Sequence, residues 1–135
     1  MARVLIVDDD TDLLAGQQAF LEGKGYEVQT ATTIDAGLRK AGSFRPEVVV
    51  VDLMMEHYDS GFVFCKKVRD LPGLGEVPII MQTAAPRKMG FTFEPGGAGP
   101  EQGWLKVDEV LTKPVPLEHL TGRIEQLLSR RTRKA

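Results

Sequence analysis

The chain has 135 residues, of which 42% are hydrophobic and 27% charged, and a formal net charge of −2. That length suits one domain with one core; no apolar run approaches the roughly 18 residues of a membrane span, and no signal-peptide core precedes the first strand pattern. A single cysteine, Cys65, excludes an internal disulfide and fits a reducing cytosol, so a cytoplasmic protein without membrane contact is expected.

Val4-Leu5-Ile6-Val7 predicts a strand buried on both faces that runs straight into Asp8-Asp9-Asp10. Asp10 can cap a helix with Leu13, Leu14, Phe20 and Leu21 at helical spacing. Gly16 and Gln17 weaken its middle, and Gly23 and Gly25 end it. Residues 26–30 form a short strand, and Thr33 then caps a helix that turns Ile34, Leu38 and Ala41 inward. The run Val48-Val49-Val50-Val51 gives a third strand, ending in Asp52. A helix from Asp59 or Ser60 follows, with Phe64, Cys65, Val68 and Leu71 inward, and Pro72-Gly73 stops it. Residues 77–82 read as a fourth strand and 108–112 as a fifth, running into Lys113-Pro114. Between those two, residues 84–103 hold five glycines and three prolines without helical period, which predicts a long loop with at most a short helix near 101–106. Pro116 opens a last helix with Leu117, Leu120, Ile124, Leu127 and Leu128 on one face. A domain over 1–129 and a basic tail over 130–135 are expected, the tail carrying Arg130, Arg131, Arg133 and Lys134 and leaving −6 on the rest.

Alternating strands and helices imply βαβ units and a parallel sheet, whose strand carboxyl ends share one edge. Asp8 and Asp9, Asp52, Thr83 and Lys113 stand at four such ends. Crowded carboxylates are hard oxygen ligands that gain from a divalent cation such as Mg²⁺. Asp52 stands alone after its strand, which suits a nucleophile able to attack phosphorus. Lys113 and the cation would neutralise charge on the transferring oxygens, and Thr83 could donate its hydroxyl to one of them. A flavin or nucleotide is not expected, because the first strand–helix turn is acidic where such sites need glycine.

The segments VLIVDDD (4–10), GYEV (25–28), PEVVVVDLMM (46–55), VPIIMQTAA (77–85) and DEVLTKP (108–114) resemble the receiver domain of two-component response regulators, over essentially the whole chain. The resemblance implies an α/β fold: a doubly wound, flavodoxin-like, five-stranded parallel sheet of order 2-1-3-4-5, here with an irregular or short fourth helix. It implies Asp52 as phosphoacceptor and Asp8 and Asp9 as the acidic pair for Mg²⁺, Asp9 directly and Asp8 through water. It makes the backbone carbonyl of Met54 a further ligand, Thr83 the switch hydroxyl and Lys113 the phosphoryl-binding lysine, with a cis Lys113–Pro114 bond. The implied partners are a histidine kinase or phosphotransfer protein, then a downstream protein target or a second copy; direct nucleic-acid contact is not expected.

The chain departs from that family pattern in four places. Val110 stands where the family carries the aromatic ring of its Thr–aromatic switch, and valine cannot swing in the same way. The segment from Thr83 to Lys113 is longer than usual, so the face it helps to form is expected to be remodelled. The loop after Asp52 reads Met55-Glu56-His57-Tyr58-Asp59-Ser60-Gly61, without the usual Met-Pro; it reads as a solvated loop, not a metal site. Met54 and Ala85 cannot orient a water, so slow autodephosphorylation is expected. Three functions compete: a phosphoacceptor, a degenerate receiver that binds partners without phosphorylation, and a phosphatase, against which Met54 counts because such enzymes put a second acid there. The sequence ends soon after the last helical stripe, so no output domain is expected to follow: either a stand-alone receiver or part of a longer regulator.

Overall fold

A computed structural model of the chain describes residues 2–53, 55, 60–84 and 107–134. The strands are β1 (Arg3–Val7), β2 (Glu27–Ala31), β3 (Val48–Asp52), β4 (Ile79–Thr83) and β5 (Glu109–Thr112). The helices are α1 (Thr11–Gly23), α2 (Ile34–Phe44), α3 (Ser60–Arg69) and α4 (Leu117–Lys134). All strand pairs are parallel, as the hydrophobic runs predict, and their order β2-β1-β3-β4-β5 is the doubly wound arrangement that the resemblance implies. The expected loop over 84–103, the short helix near 101–106 and the irregular fourth helix fall almost entirely on residues 85–106, outside the described residues.

Alternation along the central strands divides the core in two. Leu5, Val7, Val49, Val51, Ile79 and Met81 face α2 and α3, where they meet Ala41, Phe64, Cys65 and Val68. Val4, Ile6, Val48, Val50, Ile80 and Leu111 face α1 and α4, packing on Leu14, Leu21, Leu120, Ile124 and Leu127. Every residue of β3 and β4 is buried, which is why those strands read as continuous runs. Each fully buried aliphatic side chain contributes roughly 1.5–3 kcal/mol, so these two layers supply most of the drive to fold.

The helix starts follow local chemistry. The Asp10 carboxylate accepts from the Leu13 N–H at 3.1 Å and the Thr33 hydroxyl from the Ala36 N–H at 3.1 Å, each satisfying an amide that the first turn leaves without a partner. Helix α2 ends at Arg45 in the left-handed conformation, φ 58°. Helix α4 carries its backbone to Lys134, through most of the segment set apart above as a tail. Gln17 departs from expectation: in place of a weak point on α1, it is wholly buried on the stripe of Leu14 and Leu21.

Cys65 is fully buried, and that burial pushes its thiol up to about 12, with Arg69 offsetting part of the effect. The unfolded chain releases the thiol proton near pH 8.5 whereas the folded chain keeps it, so this contribution to stability is complete below about pH 8.5 and fades as pH rises toward the folded value. Cys65 is therefore expected to resist a disulfide reagent at pH 8 in the native protein and to react fully in denaturant. Stoichiometric native-state labelling, faster than global unfolding, would contradict its burial.

Candidate functional site

The strand alternation that builds the core also builds the site. Val50 and Ile80 face α1 and α4, so Asp52 and Gln82, two residues further along, turn to the same side. Asp52 and Gln82 are register partners across β3 and β4. Val7 pairs with Val51, which brings Asp8 beside Asp52 one step beyond. Asp8, Asp52 and Gln82 thus form a row across three strands at the carboxyl edge, where lateral spacing is about 4.8 Å. Lys113, just past β5, is tied to this edge by its backbone N–H, which donates to the Thr83 carbonyl at 2.8 Å.

One ligand oxygen from each of Asp8, Asp9 and Asp52 lies within 4.8 Å of the other two. Asp8 is fully buried and Asp52 nearly so, at 6% exposure, while Asp9 is exposed. A buried carboxylate needs donors. Asp8 has two: the Lys113 ammonium at 2.7 Å and the Asp10 backbone N–H at 2.9 Å. The same ammonium lies 3.5 Å from Asp52 Oδ2, so one cation bridges two of the three carboxylates. Burial alone would lower the pKa of Lys113, but the hydrogen bond to Asp8 and the charges of Asp52 and Asp8 outweigh it and hold the ammonium above the usual lysine range. The lysine is charged at any physiological pH. Three carboxylates against one ammonium leave an excess of negative charge, the condition under which a divalent cation is taken up.

Thr83 ends β4 beside this edge, fully buried, and its hydroxyl has no hydrogen-bond partner among the described residues. Such a group costs about 1–3 kcal/mol unless a partner reaches it. The Lys113–Pro114 peptide is cis. Val110, in the position where an aromatic would stand, is half-buried and packs against the α2–α3 side of the core. Met54 and residues 56–59, including Glu56, His57 and Asp59, lie outside the described residues.

Two features of this edge were missed at the level of sequence. Gln17 and Gln82 are both fully buried and hydrogen-bond reciprocally, Gln17 Nε2 to Gln82 Oε1 at 3.0 Å and Gln82 Nε2 to Gln17 Oε1 at 3.4 Å. The signal was present: Gln17 falls three residues after Leu14 and four before Leu21, on the apolar stripe. The second is Gly61, whose N–H donates to the Leu53 carbonyl at 2.8 Å. A Cβ there would stand 2.6 Å from Leu53 Cα and 2.7 Å from the Asp52 carbonyl oxygen, both backbone atoms. Only glycine lets the start of α3 approach the end of β3 so closely.

Gly61→Ala is therefore expected to destabilise the protein by about 2 kcal/mol, because backbone has to move at the Asp52 end of β3. Gly16→Ala, exposed mid-helix with open space around it, is expected to stabilise by about 0.5–1 kcal/mol. Urea denaturation of the pair checks both signs; equal effects would refute the close approach.

Comparison with known proteins agrees with this geometry. Residues 4–125 match the family model of the response regulator receiver domain. The chain is 32% identical over 133 residues to the DNA-binding dual master transcriptional regulator RpaA of Synechocystis, covering 98% of this chain and 52% of RpaA. It is 35% identical over 129 residues to the transcriptional regulatory protein PrrA of Mycobacterium leprae, covering 96% of this chain and 51% of PrrA. The chain thus spans about half the length of these curated relatives. Among solved structures, chemotaxis response regulator CheY4 of Vibrio cholerae superposes with a TM-score of 0.78 at 30% identity, covering 94% of this chain and 98% of CheY4. With strand order, carboxylate cluster and family match in accord, the chain belongs to the receiver domains of two-component response regulators.

Proposed function

We propose that this domain is a Mg²⁺-dependent phosphoacceptor, taking a phosphoryl group from a histidine kinase or phosphotransfer protein onto Asp52 and thereby switching a protein-interaction surface. The observation that carries the reading is the Lys113 ammonium, held between Asp8 at 2.7 Å and Asp52 at 3.5 Å beside a buried Thr83 hydroxyl with no partner among the described residues.

In this reading an Asp52 oxygen attacks the phosphorus of a phosphohistidine. The new O–P bond forms as the N–P bond breaks, and the electron pair leaves with the imidazole nitrogen. Lys113 is charged and already within reach of Asp52, so a small movement away from Asp8 would bring it onto a phosphoryl oxygen. The Thr83 hydroxyl gains in such an oxygen the partner that the described residues do not give it. Asp8, Asp9, Asp52 and the backbone carbonyl of Met54 would hold Mg²⁺, which when bound adds positive charge at the transferring oxygens. Phosphoryl transfer is largely positioning and charge stabilisation, and the rigid strand ends supply the positioning. The domain would catalyse only its own phosphorylation and dephosphorylation, and so is a signalling element and no turnover enzyme.

Its output would be a protein target or a second copy of the domain. The DNA binding named for RpaA belongs to a protein of which this chain matches 52%. Among the described residues no helix is long and apolar enough to cross a membrane.

Intact-mass measurement after incubation with Mg²⁺ and a small-molecule phosphodonor tests the reading. One added phosphoryl group is expected on the parent chain, none on Asp52→Asn and none after chelation of Mg²⁺. Once the donor is removed, the adduct is expected to decay over minutes or longer, since Met54 and Ala85 bring no side chain that orients water. No adduct on the parent chain would favour a phosphorylation-independent binding module, and loss within seconds would refute slow hydrolysis.

A further inference from the structure

We propose that the buried Gln17–Gln82 amide pair is a positioning element that couples the state of the Asp52 pocket to helix α1. The inference rests on the phosphoacceptor reading and extends it to a part of the chain that the transfer chemistry does not use.

The pair bridges two elements 65 residues apart in sequence, with each amide donating to the other. Both side chains are fully buried on the α1–α4 side of the sheet, Gln17 on the stripe of Leu14 and Leu21 and Gln82 next to Asp52. Neither amide can turn without its partner turning too, because a one-sided rotation sets donor against donor or acceptor against acceptor inside a low-dielectric core. At one end the pair is attached to the site. Gln82 is the register partner of Asp52, precedes Thr83, and accepts through its backbone carbonyl from the Leu53 N–H at 2.9 Å. At the other end Gln17 sits in the middle of α1, whose N-cap residue Asp10 donates its backbone N–H to Asp8. A charge change on Asp52 therefore acts on α1 at two points, through the acidic pair at the helix start and through the amide pair at its centre.

Packing alone does not require this pair. Two leucines would fill a similar volume on a stripe that already carries Leu14 and Leu21, and exchanging both partners of a buried hydrogen bond for apolar groups is close to neutral. Replacing only one leaves the other amide buried and unpaired. The pair thus ties α1 to β4 in one arrangement, a constraint that an apolar contact of similar size would leave looser.

The test uses the full chain with Gln17→Leu, Gln82→Leu and the double substitution. Thermal unfolding and ¹H–¹⁵N spectra are recorded with Mg²⁺, before and after adding beryllium fluoride as the phosphoryl mimic. Each single variant is expected to lose several degrees of melting temperature and the double to regain most of it. In the parent chain, loading is expected to move the side-chain amide signals of Gln17 and Gln82 and the backbone signals of α1. In the double variant the signals of Asp52, Thr83 and Lys113 and of the first turn of α1 still move, while the response at the centre of α1, residues 14–21, is lost. An undiminished response over residues 14–21 in the double variant would overturn the coupling, since a merely structural pair predicts that result. A silent α1 in the parent, with the site responding, would overturn it as well. No response at Asp52 or Lys113 in the parent would overturn the phosphoacceptor reading first and this inference with it.

Discussion

The burial of Asp8 constrains this structure more than any other single feature. A carboxylate with no exposed surface is tolerated only with donors in place, and losing one partner of such a buried pair costs about 3–5 kcal/mol. Both of its donors come from elements that must be correctly folded to supply them. Lys113 is brought in by the last strand, 105 residues away, and the Asp10 N–H by the turn that opens α1. The arrangement of β5 against the sheet and the entry of α1 are therefore set by the same carboxylate that crowds Asp52. Site and scaffold share residues here, and charge at the site is felt by the fold.

The opposite edge of the sheet uses charge differently. Arg3 donates through Nε to the carbonyls of Phe44 and Arg45 where α2 turns into β3, and Arg45 donates to the Pro72 carbonyl at 2.6 Å. Asp108 accepts from the Ile79 N–H at 2.8 Å while its own N–H donates to the Ile79 carbonyl, locking the start of β4 to the start of β5. There the charged side chains bind backbone groups and one another, Arg3 with Glu47 and Arg69 with Asp108, and close the loops. At the carboxyl edge carboxylates outnumber cations, and a buried hydroxyl has no partner among the described residues. An excess of carboxylates at one end and charges matched with backbone groups or opposite charges at the other distinguish a site from a brace.

The hydrophobic runs made the sheet legible. Val48-Val49-Val50-Val51 could only be a strand covered on both faces, and once strands alternate with helices their carboxyl ends share an edge. The convergence of Asp8, Asp9, Asp52, Thr83 and Lys113 follows from that rule, before any distance is known. What could not be read was the sign of an exception. Gln17 looked like a flaw in an amphipathic helix because a lone glutamine on an apolar stripe is ordinarily a cost. Its partner Gln82 lies 65 residues away, and only register and helix docking bring the two amides together. Gly61 was equally opaque: a glycine near a helix start suggests a turn, and its actual reason, backbone contact with Asp52 and Leu53, is tertiary. Local pattern reports what each residue prefers alone, and these positions are decided by what they meet.

A receiver must satisfy two demands that pull against each other. The sheet has to be stiff enough to hold carboxylates, a hydroxyl and an ammonium in transfer geometry, yet some element must have two arrangements for a charge change to be read elsewhere. Fully apolar layers meet the first demand and give little purchase for the second, since non-directional contacts tolerate small shifts without preferring either state. A reciprocal amide pair is directional, and its energy changes steeply with rotation while its volume does not change at all. Set in the row of Asp8 and Asp52, it gives the α1–α4 layer an orientation-dependent contact one strand from Asp52. Val110 gives β5 a small branched side chain at the position where an aromatic would stand, so a large ring movement is not available on that side. The helices with an oriented contact to the site are thus α1, through the Asp10 N–H and the amide pair, and α3, through the Gly61 N–H on Leu53, and of these only the α1 contacts involve side chains that a change of charge on Asp52 could turn.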